Sequence, residues 1–309
     1  MSVASGSGSQ TEPAFKRRNP AMSDNKSTAG CGIHNHQKKI AAVNDFTGFG
    51  RCALAVALPV ISRLGVQCCA APTALLSNHT AFPSCFIENL TPHFQAYTAE
   101  WKKLDLCFDG IMTGYLGSLD QISMAEHFIT DFSDSSTLVI VDPIMGDNGK
   151  RYRNLPDGVC QALRHLVSLA HIITPNLTEA CLLTGTDFHD GAWKRQELDR
   201  LLDRLHDLGP AQIVITGIPQ GKFVANMIRT KDGRHTLLRQ QHVGCAYSGT
   251  GDIFVSILAA DAVSGVELIR SVRRASLFIK KCILLSAELG IPGTDGVCFE
   301  EVLGTLQKV

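Results

Sequence analysis

The sequence predicts an α/β protein in which a mostly parallel sheet is covered by helices on both faces. Three observations predict this fold class. Short apolar runs of β-type residues alternate with amphipathic segments of helical length. The runs are apolar throughout, as in parallel strands that are buried on both faces. Two further strand-like segments then flank Asp232-Gly233, a turn dipeptide that predicts an antiparallel hairpin.

The apolar runs also give the order of the elements. The predicted strands are residues 40–43, 66–71, 108–112, 137–141, 172–174 and 212–216, followed by hairpin strands at 222–229 and 235–243. The predicted helices are the amphipathic segments near 51–64, 84–102, 119–132, 156–169, 177–184, 194–207, 252–263, 266–289 and 298–307. Ligands of such sheets bind beyond the carboxyl ends of the strands, so the residues that follow each strand are the first site candidates.

Composition separates a tail from one domain and limits the partners. Residues 1–37 are rich in Ser, Gly, Asn and Lys and predict a flexible extension, whereas residues 38–309 predict a single domain. Lys and Arg number 29 and Asp and Glu number 29, so no excess charge attracts nucleic acid or anionic lipid. No apolar run has the roughly 18 residues of a membrane span. We therefore expect a cytoplasmic protein without nucleic-acid or membrane partners.

Eleven cysteines are scattered along the chain, and an odd number does not suit a complete disulfide framework. Most lie within apolar segments, and we expect these to be reduced core thiols. The examples are Cys52, Cys68, Cys69, Cys181 and Cys282.

The segment Ser248-Gly249-Thr250-Gly251-Asp252 precedes an apolar helix and predicts an anion site. Free N–H groups and the positive end of the helix dipole would face a phosphate there. Asp252 then fits a general base that takes the proton of a substrate hydroxyl as it attacks the γ-phosphate of ATP. A simple helix cap remains the alternative for Asp252. No GxxxxGK[ST] motif occurs, which argues against a P-loop.

Polar residues follow other predicted strands. Asp142 and Asp147 follow one strand, and Asn176 and Glu179 follow the next. Together they offer the hard oxygen ligands that suit Mg²⁺ beside ATP phosphates, although each alone also fits a turn or cap. Tyr115 lies at a further strand end between glycines, where its ring could cover a flat heteroaromatic ligand or be an ordinary half-buried tyrosine.

Five motifs in order carry a family resemblance over residues 39–307. They are Leu76-Ser77-Asn78-His79-Thr80, Thr113-Gly114-Tyr115, Val141-Asp142-Pro143-Ile144-Met145-Gly146-Asp147, Thr174-Pro175-Asn176 with Glu179, and Tyr247-Ser248-Gly249-Thr250-Gly251-Asp252-Ile253-Phe254. The chain resembles the ribokinase-like superfamily and, within it, the pyridoxal (vitamin B6) kinases. The resemblance implies a three-layer α/β/α sandwich and ATP-dependent phosphorylation of the 5′-hydroxymethyl group of pyridoxal, pyridoxamine or pyridoxine.

The resemblance also implies roles for individual residues, with Mg²⁺ and a monovalent cation, K⁺ or Na⁺, as cofactors and a homodimer as the usual assembly. Asp252 matches the catalytic base, and Gly249, Thr250 and Gly251 match the anion hole. Asp142 and Thr174 match positions near the monovalent cation, and Asp147 and Glu179 match the Mg²⁺ side. ATP contacts are implied for Asp142, Asn176, Glu179, Thr216, Gly217, Gly249 and Thr250, and vitamin contacts for Asp45, Thr73, Tyr115 and Asp252.

One residue departs from the family pattern, because Asp45 stands where better-known pyridoxal kinases carry a serine against the vitamin ring. We expect its carboxylate to favour a protonated ring nitrogen or the amine of pyridoxamine. Three alternatives remain open at this point. They are a hydroxymethylpyrimidine kinase of thiamin synthesis, a sugar kinase, and a non-enzymatic module that binds a nucleotide or pyridoxal phosphate.

Overall fold

The computed structural model describes residues 34–153, 155–244 and 246–308. Its strands are β1 (Lys39–Phe49), β2 (Gln67–Asn78), β3 (Ile87–Asn89), β4 (Gly110–Thr113), β5 (Leu138–Val141), β6 (Gly146–Asp147), β7 (Lys150–Arg151), β8 (Ile172–Ile173), β9 (Gln212–Gln220), β10 (Phe223–Arg229) and β11 (His235–Gln241). Its α-helices are α1 (Ala53–Arg63), α2 (Thr91–Lys103), α3 (Leu119–Phe132), α4 (Val159–Ser168), α5 (Leu177–Thr184), α6 (Arg195–His206), α7 (Thr250–Val263) and α8 (Leu268–Glu288).

A nine-stranded sheet has the order β11-β10-β9-β8-β5-β4-β1-β2-β3. The strands from β9 to β2 in this order are parallel, whereas β3, β10 and β11 are antiparallel to their neighbours. Strands β6 and β7 form a separate small hairpin. The predicted fold class, including the antiparallel hairpin, is therefore confirmed.

Alternating side chains of the strands bury both faces of the sheet. In β1, Ala41 and Val43 join the core under α2 to α6, whereas Ile40 and Ala42 join the core under α1, α7 and α8. Because neither face of the central strands is left to water, their sequences are apolar throughout. The two cores hold the carboxyl ends of the parallel strands at one edge of the sheet.

Several element boundaries differ from prediction, and β9 (Gln212–Gln220) also runs past its predicted end at residue 216. β1 and β2 run past their predicted ends, and residues 87–89 pair with β2 as a strand instead of starting a helix. Helix α2 begins only at Thr91, with Pro92 in its first turn, where a missing N–H costs no hydrogen bond. The predicted helix at 298–307 is wrong, because only a 3₁₀ turn forms at Leu303–Thr305.

The predicted core thiols are free cysteines. Cys181 and Cys282 are buried, and Cys52, Cys68 and Cys69 are half-buried. Burial is the main cause that raises the pKa of Cys68 and of Cys282 to about 12. These groups therefore pack as neutral thiols.

The predicted extension, residues 1–37, lies outside the described residues except for 34–37. In that short part, His34 Nε2 lies 2.8 Å from the carbonyl oxygen of Leu104. Among the helices that the structure describes, none combines the length and apolar composition needed to cross a membrane.

Candidate active site

A cavity of about 530 Å³ opens at the carboxyl edge of the sheet, where the strand ends meet the start of α7. Most of the predicted site residues line it. They are Asp142, Asp147, Thr174, Asn176, Glu179, Thr216, Gly217, Thr250, Gly251 and Asp252. Gly249, Asp45, Thr73 and Tyr115 are not among its lining residues. The structure thus gathers the phosphate-side candidates other than Gly249 in one cavity with Asp252, and leaves the vitamin-side candidates Asp45, Thr73 and Tyr115 outside its lining.

Helix α7 begins in a backbone arrangement that requires glycine. Gly249 has φ of 80°, and a Cβ at this position would lie 1.8 Å from the carbonyl oxygen of Arg51. At Gly251, by contrast, a Cβ would meet nothing within 4 Å. The first-turn N–H groups of a helix have no intrahelical acceptor. The start of α7 therefore offers donors toward open space, as an anion site needs.

A segment that we call the C-terminal brace, residues 293–297, fixes the loop before α7. Ser248 N–H donates to the Gly293 carbonyl at 3.1 Å, and Val297 N–H donates to the Ser248 carbonyl at 3.0 Å. The brace also reaches the β2–β3 connection, because His79 Nε2 lies 2.7 Å from the Thr294 carbonyl oxygen. The anion loop is therefore held by residues that follow α8.

Asp252 is half-buried at the start of α7 and has the environment of a base. Burial raises the pKa of its carboxyl to about 6, and the nearby Asp45 carboxylate adds to this rise. The Ala53 N–H and the Asn44 side chain donate hydrogen bonds to the carboxylate and oppose the rise. At neutral pH the group is largely ionised yet far more basic than an exposed aspartate, which suits proton abstraction.

Asn44 is a site residue that the sequence analysis did not single out. Its Oδ1 accepts hydrogen bonds from the N–H groups of Asp45 and Tyr115, both at 2.9 Å. Gly114 leaves room for it, since a Cβ there would lie 2.3 Å from Asn44 Nδ2. Asn44 therefore connects the Asp252 carboxylate to the backbone of Tyr115 by hydrogen bonds. The sequence indicated Asn44 only by its position, as an amide directly after the predicted apolar strand 40–43.

Asp142 and Glu179 form a second buried acidic pair. Asp142 Oδ1 accepts a hydrogen bond from Thr174 Oγ1 at 2.9 Å. Burial raises its pKa to about 7, and the Asp252 carboxylate contributes to the rise. Burial, and then Asp142, also raise the pKa of Glu179. Two carboxyls that disfavour each other's ionisation are typical of a site that receives a cation.

Glu179 has a structural role that the sequence analysis left as an alternative. It completes a capping box with Asn176, whose N–H donates to Oε2 at 2.8 Å. Its Oε1 accepts from the Met145 N–H at 3.1 Å. Glu179 therefore both caps α5 and fixes the chain after β5, and its oxygens already accept backbone donors.

The protein side chains alone do not build a metal cage. Within the described ranges, no three His, Cys, Asp or Glu residues are grouped closely enough to hold a metal ion. Asp147 is exposed, and its oxygens accept from the N–H and side chain of Asn148 at 2.8 and 3.0 Å. The donor set fits Mg²⁺, which commonly takes only one or two carboxylates and completes its shell with water and phosphate oxygens.

The vitamin-side candidates gather around β1. Asp45 is buried, and its Oδ2 accepts from Thr47 Oγ1 at 2.6 Å. Burial raises its pKa, and His79 partly opposes this. The Thr73 hydroxyl is buried and has no hydrogen-bond partner among the described residues. Tyr115 is half-buried, and Asn44 ties its backbone to the same network that holds Asp252.

A mostly parallel sheet, with the Asp252 helix start and a buried acidic pair gathered at its carboxyl edge, is the arrangement of a kinase of the ribokinase-like class. A family profile described as phosphomethylpyrimidine kinase matches residues 56–295. The chain belongs to this family, and curated vitamin B6 kinases are among the proteins similar to it. The predicted resemblance to the B6 kinases is therefore confirmed.

Individual relatives resemble most of the chain. The pyridoxine/pyridoxal/pyridoxamine kinase of Bordetella avium is 30% identical over 271 residues, which cover 83% of this chain and 90% of the relative. A Bacteroides thetaiotaomicron protein, provisionally assigned as a phosphomethylpyrimidine kinase and solved with pyridoxal, has a TM-score of 0.83 and 36% identity and covers 87% of this chain and 96% of its own. Pyridoxal kinase from Lactobacillus plantarum has a TM-score of 0.80 and 25% identity, with coverages of 88% and 97%.

Proposed function

We propose that this protein transfers the γ-phosphoryl group of ATP to the hydroxymethyl group of pyridoxal, pyridoxamine or pyridoxine. The observation that carries the proposal is the Asp252 carboxylate, with its pKa near 6, beside the open N-terminus of α7. The B6 kinase relatives and the pyridoxal-containing Bacteroides structure support this substrate class over hydroxymethylpyrimidine.

In this proposal Asp252 accepts the proton of the substrate hydroxyl as the hydroxyl oxygen attacks the γ-phosphorus. Asn44 and the Ala53 N–H keep the carboxylate in position through hydrogen bonds. The N–H groups at Thr250 and Gly251 stabilise the charge on the migrating phosphoryl group. Asn176, Thr216 and Gly217 line the cavity where the rest of the nucleotide would lie.

The proposed cation ligands are two pairs of residues, one for each cation. Asp147 and Glu179 would face Mg²⁺, and Asp142 with Thr174 would face a monovalent cation, K⁺ or Na⁺. When bound, these cations would neutralise phosphate charge. The raised pKa values of Asp142 and Glu179 support a cation at this position, since a positive charge would favour both ionised forms.

Three broader features also belong to the proposal. Residues 38–309 would act as a single domain, the protein would be a homodimer, and it would work in the cytoplasm. The oligomeric state can be measured by sedimentation, which would give one species of twice the 33.4 kDa chain mass.

The decisive experiment is Asp252→Asn, assayed by ATP consumption with pyridoxal, pyridoxine, pyridoxamine and hydroxymethylpyrimidine. We expect kcat to fall by roughly 10²- to 10⁴-fold with little change in KM, because the variant keeps the shape but loses the base. Asp207→Asn, at an exposed position after α6, is the matched control and should behave as wild type. Retention of kcat by Asp252→Asn would exclude the proposed base, and wild-type turnover of hydroxymethylpyrimidine alone would exclude a B6 substrate.

A further inference from the structure

The cavity extends beyond the acidic residues to a wall formed by β10, β11 and α8. In the sheet order, Asp142 and Asn176 follow β5 and β8, Thr216 and Gly217 lie in the next strand, β9, and β10 and β11 come after it. A nucleotide with its phosphates at the start of α7 would therefore extend its base toward this wall. The wall residues are Val224, Asn226, Gln240, Ser276, Ile279 and Ile283.

Hydrogen bonds fix the orientation of the Gln240 amide in this wall. Gln240 lies opposite Val224 in the β10–β11 pairing, and its Nε2 donates to the Ser276 carbonyl at 3.0 Å. A backbone carbonyl only accepts, so the amide nitrogen must face it and Oε1 must face elsewhere. Within the described ranges Oε1 has no hydrogen-bond partner. Gln240 therefore leaves one acceptor available at the cavity wall.

The Ser276 hydroxyl provides the complementary group. Asn226 Nδ2 donates to Ser276 Oγ at 2.9 Å, and Asn226 Oδ1 accepts from the Gly217 N–H at 3.3 Å. Some helical hydroxyls donate back to their own helix, as Ser286 does to the Cys282 carbonyl at 2.8 Å. Ser276 makes no such bond in the part of the chain that the structure describes. Its proton is therefore available to a ligand.

We infer that Gln240 and Ser276 select adenine over guanine as the base of the phosphoryl donor, an inference that rests on the proposed kinase function. Adenine presents an amino donor at N6 beside an acceptor at N7, whereas guanine presents the acceptor O6 beside N7. Gln240 Oε1 accepts from the adenine amine, and the Ser276 hydroxyl donates to the ring nitrogen. Guanine would instead place O6 against Gln240 Oε1, two acceptors without a proton between them.

The apolar wall residues complete this base site. Val224, Ile279 and Ile283 offer a surface for the flat faces of a purine without distinguishing adenine from guanine. Discrimination then falls to the two polar groups: Gln240 is fixed by the Ser276 carbonyl, and the Ser276 hydroxyl by Asn226. A site with few, oriented polar groups in an apolar surround is the usual form of a specific small-molecule pocket.

The test measures binding of ADP, GDP and purine riboside diphosphate, which lacks the N6 amine, by calorimetry. Wild type should bind ADP roughly tenfold more tightly than either analogue, the effect of one lost neutral hydrogen bond or more. Gln240→Met keeps the side-chain volume and should bind ADP and purine riboside diphosphate equally. Gln95→Leu, on the exposed side of α2, should keep wild-type selectivity.

The outcomes separate this inference from the kinase proposal, because binding requires no phosphoryl transfer. Equal wild-type affinity for ADP and purine riboside diphosphate would refute the role of Gln240 without involving any variant. Undiminished discrimination in a Gln240→Met protein that melts like wild type would refute it as well. Ser276→Ala should weaken ADP more than a 7-deaza analogue, and equal weakening of both would remove Ser276 from the inference.

Discussion

The substitution Asn44→Asp tests how the candidate base is tuned. Aspartate has nearly the shape of asparagine, so its Oδ1 can still accept from the N–H groups of Asp45 and Tyr115. It cannot keep the amide donor that Asn44 offers to the Asp252 carboxylate. In its place stands a second carboxyl group, and two neighbouring carboxyls share a proton more readily than either binds one alone.

The size of the effect follows from the lost hydrogen bond. A hydrogen bond to a charged group contributes about 1.5–3 kcal/mol, and one pKa unit corresponds to about 1.4 kcal/mol. The pKa of Asp252 should therefore rise from about 6 by roughly 1 to 2 units. Because the base works only when deprotonated, activity at pH 7 should fall by roughly two- to tenfold and should return as the pH is raised.

The assay is the pH profile of kcat/KM for pyridoxal from pH 5.5 to 9. We expect the acidic limb of Asn44→Asp to move to higher pH by about 1 to 2 units, with the plateau at high pH largely kept. Asn35→Asp, which adds the same charge at an exposed position before β1, should leave the limb in place. An unmoved limb in a folded Asn44→Asp protein would refute the proposed tuning of Asp252 by Asn44.

Two further substitutions test the anion loop and the vitamin side. Gly249→Ala should lose stability and most activity, because its Cβ would lie 1.8 Å from the Arg51 carbonyl oxygen. Gly265→Ala has a similar φ of 78° with nothing within 4 Å, so it should cost only about 1–2 kcal/mol and keep kcat/KM. Equal melting temperatures for the two variants would contradict the steric argument. Asp45→Ser should lower the ratio of kcat/KM for pyridoxamine to that for pyridoxal by roughly tenfold, through loss of a charge-assisted hydrogen bond. Unchanged vitamer ratios would remove Asp45 from substrate selection.

The sequence predicted the sheet because strands buried on both faces carry an unmistakable apolar pattern. The strand ends then identified Asp142, Asn176 and Thr216, since parallel strands bring their carboxyl ends to one edge. The helix predicted at 298–307 is wrong, because a few apolar side chains at helical spacing do not form an α-helix where the chain makes only a 3₁₀ turn. Periodicity is a weak guide in such short segments.

The residues that the sequence did not reveal act through contacts made only in three dimensions. Asn44 matters because Tyr115 and Asp252 come to it from other elements, and neither approach is visible along the chain. Gln240 and Asn226 lie in predicted strands, where nothing in the sequence marks them. Their role depends on hydrogen bonds to Ser276 of α8, which form only in the folded chain. Glu179 fitted both a cap and a ligand by its position, and only the structure shows that it caps α5 and also accepts from the Met145 N–H.

The C-terminal brace has a consequence for incomplete copies of this gene. A polypeptide that stops after α7 would still contain the glycine-rich signature, residues 248–252. It would lack the Gly293 carbonyl and the Val297 N–H, which hold Ser248 by hydrogen bonds. Homologous open reading frames truncated in this region should therefore be counted as inactive, however well their signature is preserved.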